Sequence, residues 1–183
     1  MSIKEIRIAG FGGQGVVLSG NIIGKAASIF GTGFAALTQS YGPESRGGSC
    51  CAEVIISDKS IDYPYVTSPG VQIILSQDAY TKYGRNTPLE TLVIVDSDLV
   101  KVDPTQEPQP LSIPASRIAR EEIGRPVVAN IIMLGFMSAT SDIVSVEALK
   151  NSVLDSIPPG TESVNLKAFE AGHNYGVKHG RSV

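Results

Sequence analysis

The chain has 183 residues, enough for one domain with a substantial core, and carries a formal net charge of −3. That balance, with no Lys/Arg cluster, excludes a broad nucleic-acid footprint, and no apolar run is long enough to span a bilayer. Charged residues make up 18% of the sequence, below the roughly 25% of ordinary soluble domains, which points either to a deeply buried α/β sheet or to a surface covered by other subunits. The opening MSIKEIRIAG alternates charged and apolar residues, so it reads as a strand and not as a secretion signal. A cytoplasmic location is the resulting expectation.

Ile3, Ile6 and Ile8 bound the first strand, which runs into a glycine loop. From Gln14 to about Phe30 the pattern turns helical, and Gly20 and Gly24, four apart, leave a groove for close approach to a sheet or a partner. Residues 33–39 and 49–57 read as the next strands, separated by a Tyr41–Gly48 loop. VQIIL at 71–75 is a short apolar run of buried-strand type. Ser76 is then a plausible N-cap for a helix through Tyr83, stopped by Gly84. TLVIV at 91–95 is another buried strand, closed by a polar turn at Asp96–Asp98, and Pro104, Pro108, Pro110 and Pro114 make an irregular crossover. Helices are expected at Ala115–Ile123 and Val127–Ala139, the second apolar nearly all round and therefore buried. Ser145 caps a helix carrying Val146, Leu149, Val153 and Ile157, and a final helix containing Phe169 starts after Asn165. Strands alternating with helices predict one domain over 1–183. Its expected fold is a three-layer α/β/α sandwich, Rossmann-like, with a mostly parallel sheet that leaves room for mixed pairing.

Cys50 and Cys51 are the only cysteines. Neighbours on a strand point to opposite faces, so they are poorly placed to bridge one another. With no C-x-x-C in the chain, neither an iron–sulfur cluster nor a structural zinc is expected from it alone. His173 and His179 are six apart, wrong for one helical face, and no carboxylate motif accompanies them. Ser76, Asp96 and Asp98 follow strand ends, where open α/β sheets place ligands. Caps and turns are the expected role of all three.

Gly10, Gly12 and Gly15 form a G-x-G-x-x-G between a strand and a helix, the setting of a dinucleotide-binding turn. Backbone N–H groups at such a helix start suit a phosphate or carboxylate. The pattern also needs an acid about 20 residues on for a ribose hydroxyl, yet no Asp or Glu lies between Ile6 and Pro43. An arginine for a 2′-phosphate is missing too, since none lies between Arg7 and Arg46, and no G-K-[ST] occurs. Three readings stay open: a bound dinucleotide, a structural tight turn, and a loop pressed against another subunit or its cofactor. In the second loop, Gly42-Pro43 suits entry into a short helical turn, and Gly47 and Gly48 permit close approach by a backbone or ligand. Arg46, between Glu44 and those glycines, presents a fork suited to phosphate or carboxylate. An internal Glu44–Arg46 pair on a surface loop is the alternative.

GFGGQGVVLSG at 10–20, SYGPESRGGSCCAEVIISD at 40–58 and IPASRIAREEIG at 113–124 occur in this order, followed by ANIIMLGF at 129–136 and NLKAFEAG at 165–172. Together they cover nearly the whole chain. This set resembles the gamma subunit, or gamma-type domain, of 2-oxoacid:ferredoxin oxidoreductases, and the form of the second loop resembles the 2-oxoglutarate type more than the pyruvate type. The resemblance implies an enzyme complex that converts a 2-oxo acid and CoA to acyl-CoA and CO2, with thiamine diphosphate and iron–sulfur clusters passing electrons to ferredoxin. It also implies that this chain is non-catalytic alone and works with alpha, beta and ferredoxin-like delta subunits, because it has neither a G-D-G motif nor a cluster-binding cysteine pattern. By the same resemblance, Gly10, Gly12, Gly13, Gln14, Gly15, Tyr41, Gly42, Pro43, Glu44, Arg46, Gly47, Gly48 and Asn130 are candidate cofactor-binding or subunit-interface residues, with CoA at the interface. A stand-alone dinucleotide enzyme, and a scaffold in an indolepyruvate-type complex, are the competing classes.

Overall fold

A computed structural model describes residues 3–42, 48–85 and 87–180. Six strands form one sheet in the order β2-β3-β1-β4-β5-β6. They are β1 (Ile3–Phe11), β2 (Phe34–Tyr41), β3 (Ser49–Ser57), β4 (Val71–Ile74), β5 (Leu92–Asp96) and β6 (Leu111–Ile113). β1, β4, β5 and β6 are parallel neighbours, while β3 runs antiparallel to both β1 and β2. The sheet is therefore mixed. The β1–helix–β2 unit leaves a gap one strand wide, and β3 returns through a hairpin to fill it.

Alternation decides which side chains meet which layer. Ile6 and Ile8 of β1, Val54 and Ile56 of β3, and Val71 and Ile73 of β4 join the main core on one face. That face is covered by α1 (Val16–Ser28), α4 (Ala129–Thr140), α5 (Val146–Ser156) and α6 (Glu162–His179). The other face holds a smaller core of Ala9, Cys51, Ile74, Tyr80, Val93 and Val95. Its cover is thin: α2 (Gln77–Ala79), continued by a wider π turn at Tyr80–Gly84, with Val100 and Val102 beyond β5. Helices thus flank both faces, unequally.

α4 is buried on nearly every side, as its composition requires, because the sheet lies under it and α6 over it. The two helices meet backbone to backbone. A Cβ added at Gly172 would overlap the Ile132 carbonyl, and one at Gly135 would overlap that of Phe169. On α1, a Cβ at Gly20 would stand 2.9 Å from Leu37 Cδ1, whereas at Gly24 the nearest atom is Ala35 Cβ at 3.8 Å. Only Gly20 is needed to bring α1 down on the sheet.

Several boundaries depart from the sequence expectation for identifiable reasons. β1 continues through Gly10 to Phe11 because β3 offers it partners at Cys50 and Ser49. β6 lies inside the segment expected to be irregular, where Pro110 and Pro114 confine it to three residues. The helix expected from 115 to 123 is split into α3 (Ala115–Arg117) and a π turn at Ile118–Glu122. α6 begins at Glu162, ahead of Asn165, whose amide donates to the Thr161 carbonyl within the first turn. Ser76 and Ser145 cap as expected, accepting from the N–H groups of Ala79 and Ala148 at 3.2 Å each.

The two sheet edges differ. β6 is short and bracketed by prolines, while β2 spans eight residues, FAALTQSY, with no charge, no proline and no buried residue.

Candidate functional site

The glycine turn follows β1 directly. Gly12 and Gly13 form the tip, and Gly15 occupies the N-cap of α1 at φ 75°, a conformation that favours glycine. Space confirms the requirement at Gly15, since an added Cβ would stand 2.6 Å from Asn130 Cγ. Asn130, buried at the start of α4, donates to Ser19 Oγ at 3.3 Å and lies 3.5 Å from the Gly15 carbonyl oxygen. Its amide thus ties α4 to the first turn of α1.

Gln14 fills the crevice between the carboxyl ends of β1 and β4. Its Oε1 accepts from the Phe11 N–H at 2.6 Å and its Nε2 donates to the Leu75 carbonyl at 2.7 Å. This is the position where an open α/β sheet would admit a pyrophosphate, and a side chain of the protein occupies it. β3 also separates β2 from β1, so the end of β2, where a ribose-binding acid would sit, is one strand away. Geometry and the missing acid agree in disfavouring a dinucleotide.

The two loops singled out by sequence share one rim. Gly12 N–H donates to the Gly48 carbonyl at 2.9 Å, and Gly42 N–H donates to Ser49 O at 2.7 Å. Tyr41 is exposed beside them. Pro43, Glu44, Arg46 and Gly47 lie outside the described residues, as does any Glu44–Arg46 pair.

Under the hairpin base, on the thin face, lies a cleft of about 400 Å³ lined by Gly10, Tyr41, Ser49, Cys51, Lys82 and Tyr83 among others. Lys82 and Tyr83 carried no sequence signal, because the π turn at 80–84 sets their direction and no motif announces it. Cys51 is buried there, and its thiol is pushed up to about 11, chiefly by burial and secondarily by the Glu53 carboxylate. Burial and the neighbouring carboxylate both favour its protonated thiol form. Cys50 faces the main core on the opposite side, its thiol also raised by burial, so the two remain unbridged. Beside the cleft, Arg7 pairs with Glu53 at 2.6 Å across β1 and β3, its guanidinium 4.9 Å from the centre of the Tyr83 ring. Two larger depressions, of about 520 and 610 Å³, open around Lys4 at the amino ends of β1 and β4. They lie at the wrong end of the sheet for a ligand site of this architecture.

Other polar candidates serve the fold. Asp96, fully buried, accepts from Ser116 N–H at 3.0 Å, Ser116 Oγ at 2.6 Å and Asp98 N–H at 3.1 Å. Asp98 accepts from Arg117 N–H at 2.7 Å. Both carboxylates hold the start of α3. Burial outweighs those hydrogen bonds and raises the Asp96 carboxyl above its usual range. His173 Nδ1 meets Ser138 Oγ at 2.9 Å across the α4–α6 contact, and His179 packs on Tyr175.

The profile of the family described as "Pyruvate ferredoxin/flavodoxin oxidoreductase" matches residues 5–175. The chain belongs to that family. Among its relatives, 2-oxoglutarate synthase subunit KorC of Methanocaldococcus jannaschii is 49% identical over 93% of this chain and 92% of that one. The corresponding subunit of Methanothermobacter thermautotrophicus is 47% identical over 92% and 93%. The crystal structure of a keto/oxoacid ferredoxin oxidoreductase gamma subunit from Geobacter sulfurreducens superposes with a TM-score of 0.88 at 38% identity, covering 98% of this chain and 99% of that one. The mixed six-stranded sheet is thus the oxidoreductase gamma-subunit architecture, and the family resemblance read from the sequence holds over nearly its full length. Among the described residues, no helix is long and apolar enough to cross a membrane.

Proposed function

We propose that this chain is the gamma subunit of a 2-oxoglutarate:ferredoxin-type oxidoreductase. In that role it acts with alpha and beta subunits that carry thiamine diphosphate and with a ferredoxin-like delta subunit. The end-to-end likeness to 2-oxoglutarate synthase subunits is the observation that supports this reading most. The chain's own donor set does not suit a cluster: its two cysteines point to opposite faces, and no group of three metal-ligating side chains occurs among the described residues. This supports assigning electron transfer to other subunits.

The chain's contribution is the rim of Gly12, Gly13, Tyr41, Gly42 and Gly48, with Gln14 and Asn130 fixing the glycine loop from behind. In this proposal the rim faces a partner subunit at the active-site entrance, where Arg46 meets CoA phosphates. The open space around Gly13, where an added Cβ would meet nothing within 4 Å, suits such an approach. Oxidation of the 2-oxo acid happens elsewhere in the complex.

The test is reconstitution with the other oxidoreductase subunits of the same organism, followed by CoA-dependent reduction of a low-potential dye. The complete set should oxidise 2-oxoglutarate faster than pyruvate, and omitting this chain should abolish turnover. Full activity without the chain, or turnover by the chain alone, overturns the proposal. A preference for pyruvate overturns only the choice of substrate.

A further inference from the structure

Strand β2 is the long, unprotected edge of the sheet. Long flat edges invite another strand, and proteins usually blunt them with charge, proline or a bulge. β6 at the other edge is blunted by brevity and two flanking prolines, but β2 pairs with β3 without a bulge and carries neither charge nor proline. Among the described residues, nothing pairs with its outer side.

We propose that β2 pairs antiparallel with β2 of a second copy of this chain, joining two sheets across a two-fold axis. The geometry selects one register. Gly42 N–H points inward to Ser49 of β3, and backbone groups alternate along an antiparallel strand. Ala35, Leu37, Gln39 and Tyr41 therefore turn their N–H and C=O groups outward. A two-fold axis perpendicular to the sheet keeps the same face upward in both copies, so paired residues must share a face, and single-residue slips are forbidden.

Of the allowed registers, the one centred on Thr38 pairs Ala35 with Tyr41 and Leu37 with Gln39, and uses every outward group. Shifting by one pair in either direction leaves Ala35 or Tyr41 without a strand partner. The chosen register sets Thr38 against Thr38, a favourable β-branched pair, and lays Phe34 over Gly42, where an aromatic ring covers a glycine. Because the strand is uncharged, no like charges face one another across the axis. Its self-complementarity is what favours a second copy over a different chain.

The experiment uses the full-length chain. Light scattering with size exclusion should give a dimer mass at micromolar to submillimolar concentrations. Thr38→Cys should form a covalent dimer on mild oxidation, since directly opposed non-hydrogen-bonded residues bring their Cβ atoms within disulfide reach. Ala36→Cys, which would face Ser40, should not, and the buried native thiols should stay silent. Gln39→Pro removes only an outward N–H and should give a folded monomer, verified by an unchanged circular dichroism spectrum. A monomeric wild type without Thr38→Cys cross-linking, cross-linking at Ala36→Cys as strong as at Thr38→Cys, or a Gln39→Pro variant that remains dimeric each overturns the proposal. A wild-type dimer in which Thr38→Cys does not cross-link overturns it as well.

Discussion

The side-chain amide of Gln14 hydrogen-bonds the Leu75 carbonyl at 2.7 Å and so locks the end of β1 to the end of β4. Both ends of that amide are used, one as acceptor and one as donor. Gln14→Glu replaces the donor by a carboxylate oxygen facing a carbonyl. It should cost about 1–3 kcal/mol, or several degrees in Tm for a chain of this size. Calorimetric titration of the wild type with NAD or NADP should show no saturable heat in the micromolar range. A dissociation constant near 10 µM, roughly −7 kcal/mol, would show instead that the crevice opens to a dinucleotide.

The α4–α6 contact and the α1 groove give opposite expectations for the same substitution. Gly172→Ala drives a methyl group into the Ile132 carbonyl, so the helices must separate, at about 1–3 kcal/mol or more. Gly24→Ala meets only ordinary contact at 3.8 Å in a helix interior and should stabilise by about 0.5–1 kcal/mol. Urea unfolding of the two variants decides this. If both destabilise equally, the helix pair is not as closely packed as described.

Asp96 predicts a pH dependence of known sign. Its folded-state carboxyl is raised above the usual 3.8, chiefly by burial, so the folded chain holds that proton more tightly than the unfolded one. The stability this contributes is fully present below the unfolded value and is lost as pH rises through the folded value. Asp96→Asn should be less stable throughout, because one amide cannot accept from Ser116 and Asp98 together. Its deficit relative to wild type should shrink as pH rises from about 3.5 toward neutrality. A deficit that grows with pH would mean the carboxyl is lowered, not raised.

Arg46 tests the rim. If it faces a partner or CoA phosphates, Arg46→Ala deletes a charge-assisted contact worth about 1.5–3 kcal/mol. The isolated chain should keep its melting temperature, while the reconstituted complex loses activity or needs about 10- to 100-fold more CoA, at roughly 1.4 kcal/mol per decade. Arg46→Lys should rescue only in part, because an ammonium lacks the planar fork. Lower stability of the free chain with normal kinetics would assign Arg46 to an internal pair with Glu44.

Much of this was legible from pattern. The apolar runs at 71–75 and 91–95 located β4 and β5 to within a residue, and the apolar composition of α4 announced its burial. Adjacency of Cys50 and Cys51 on a strand was enough to separate them. What escaped depends on partners that no local pattern encodes. β1 extends through Gly10 because β3 lies alongside, and β6 exists because β5 offers it a ladder. At the site, Gly15 was readable as a turn glycine, but the occupation of the crevice by Gln14 was not. The bond joins residues 61 apart in sequence. Lys82 and Tyr83 reach the cleft through a π turn, which a 3.6-residue period does not reveal.

The antiparallel sense of β3 has a further consequence for how such a subunit can diversify. A parallel strand in that position would need a crossover to the far end of the sheet, whereas an antiparallel one needs only a short hairpin. The ladder of β2 and β3 is unbroken from Phe34 and Ser57 to Tyr41 and Cys50, and the Gly42–Ser49 bond closes it. Changes of sequence beyond that bond should therefore leave every paired residue of the ladder in place. What the rim meets is therefore separable from what holds the sheet together.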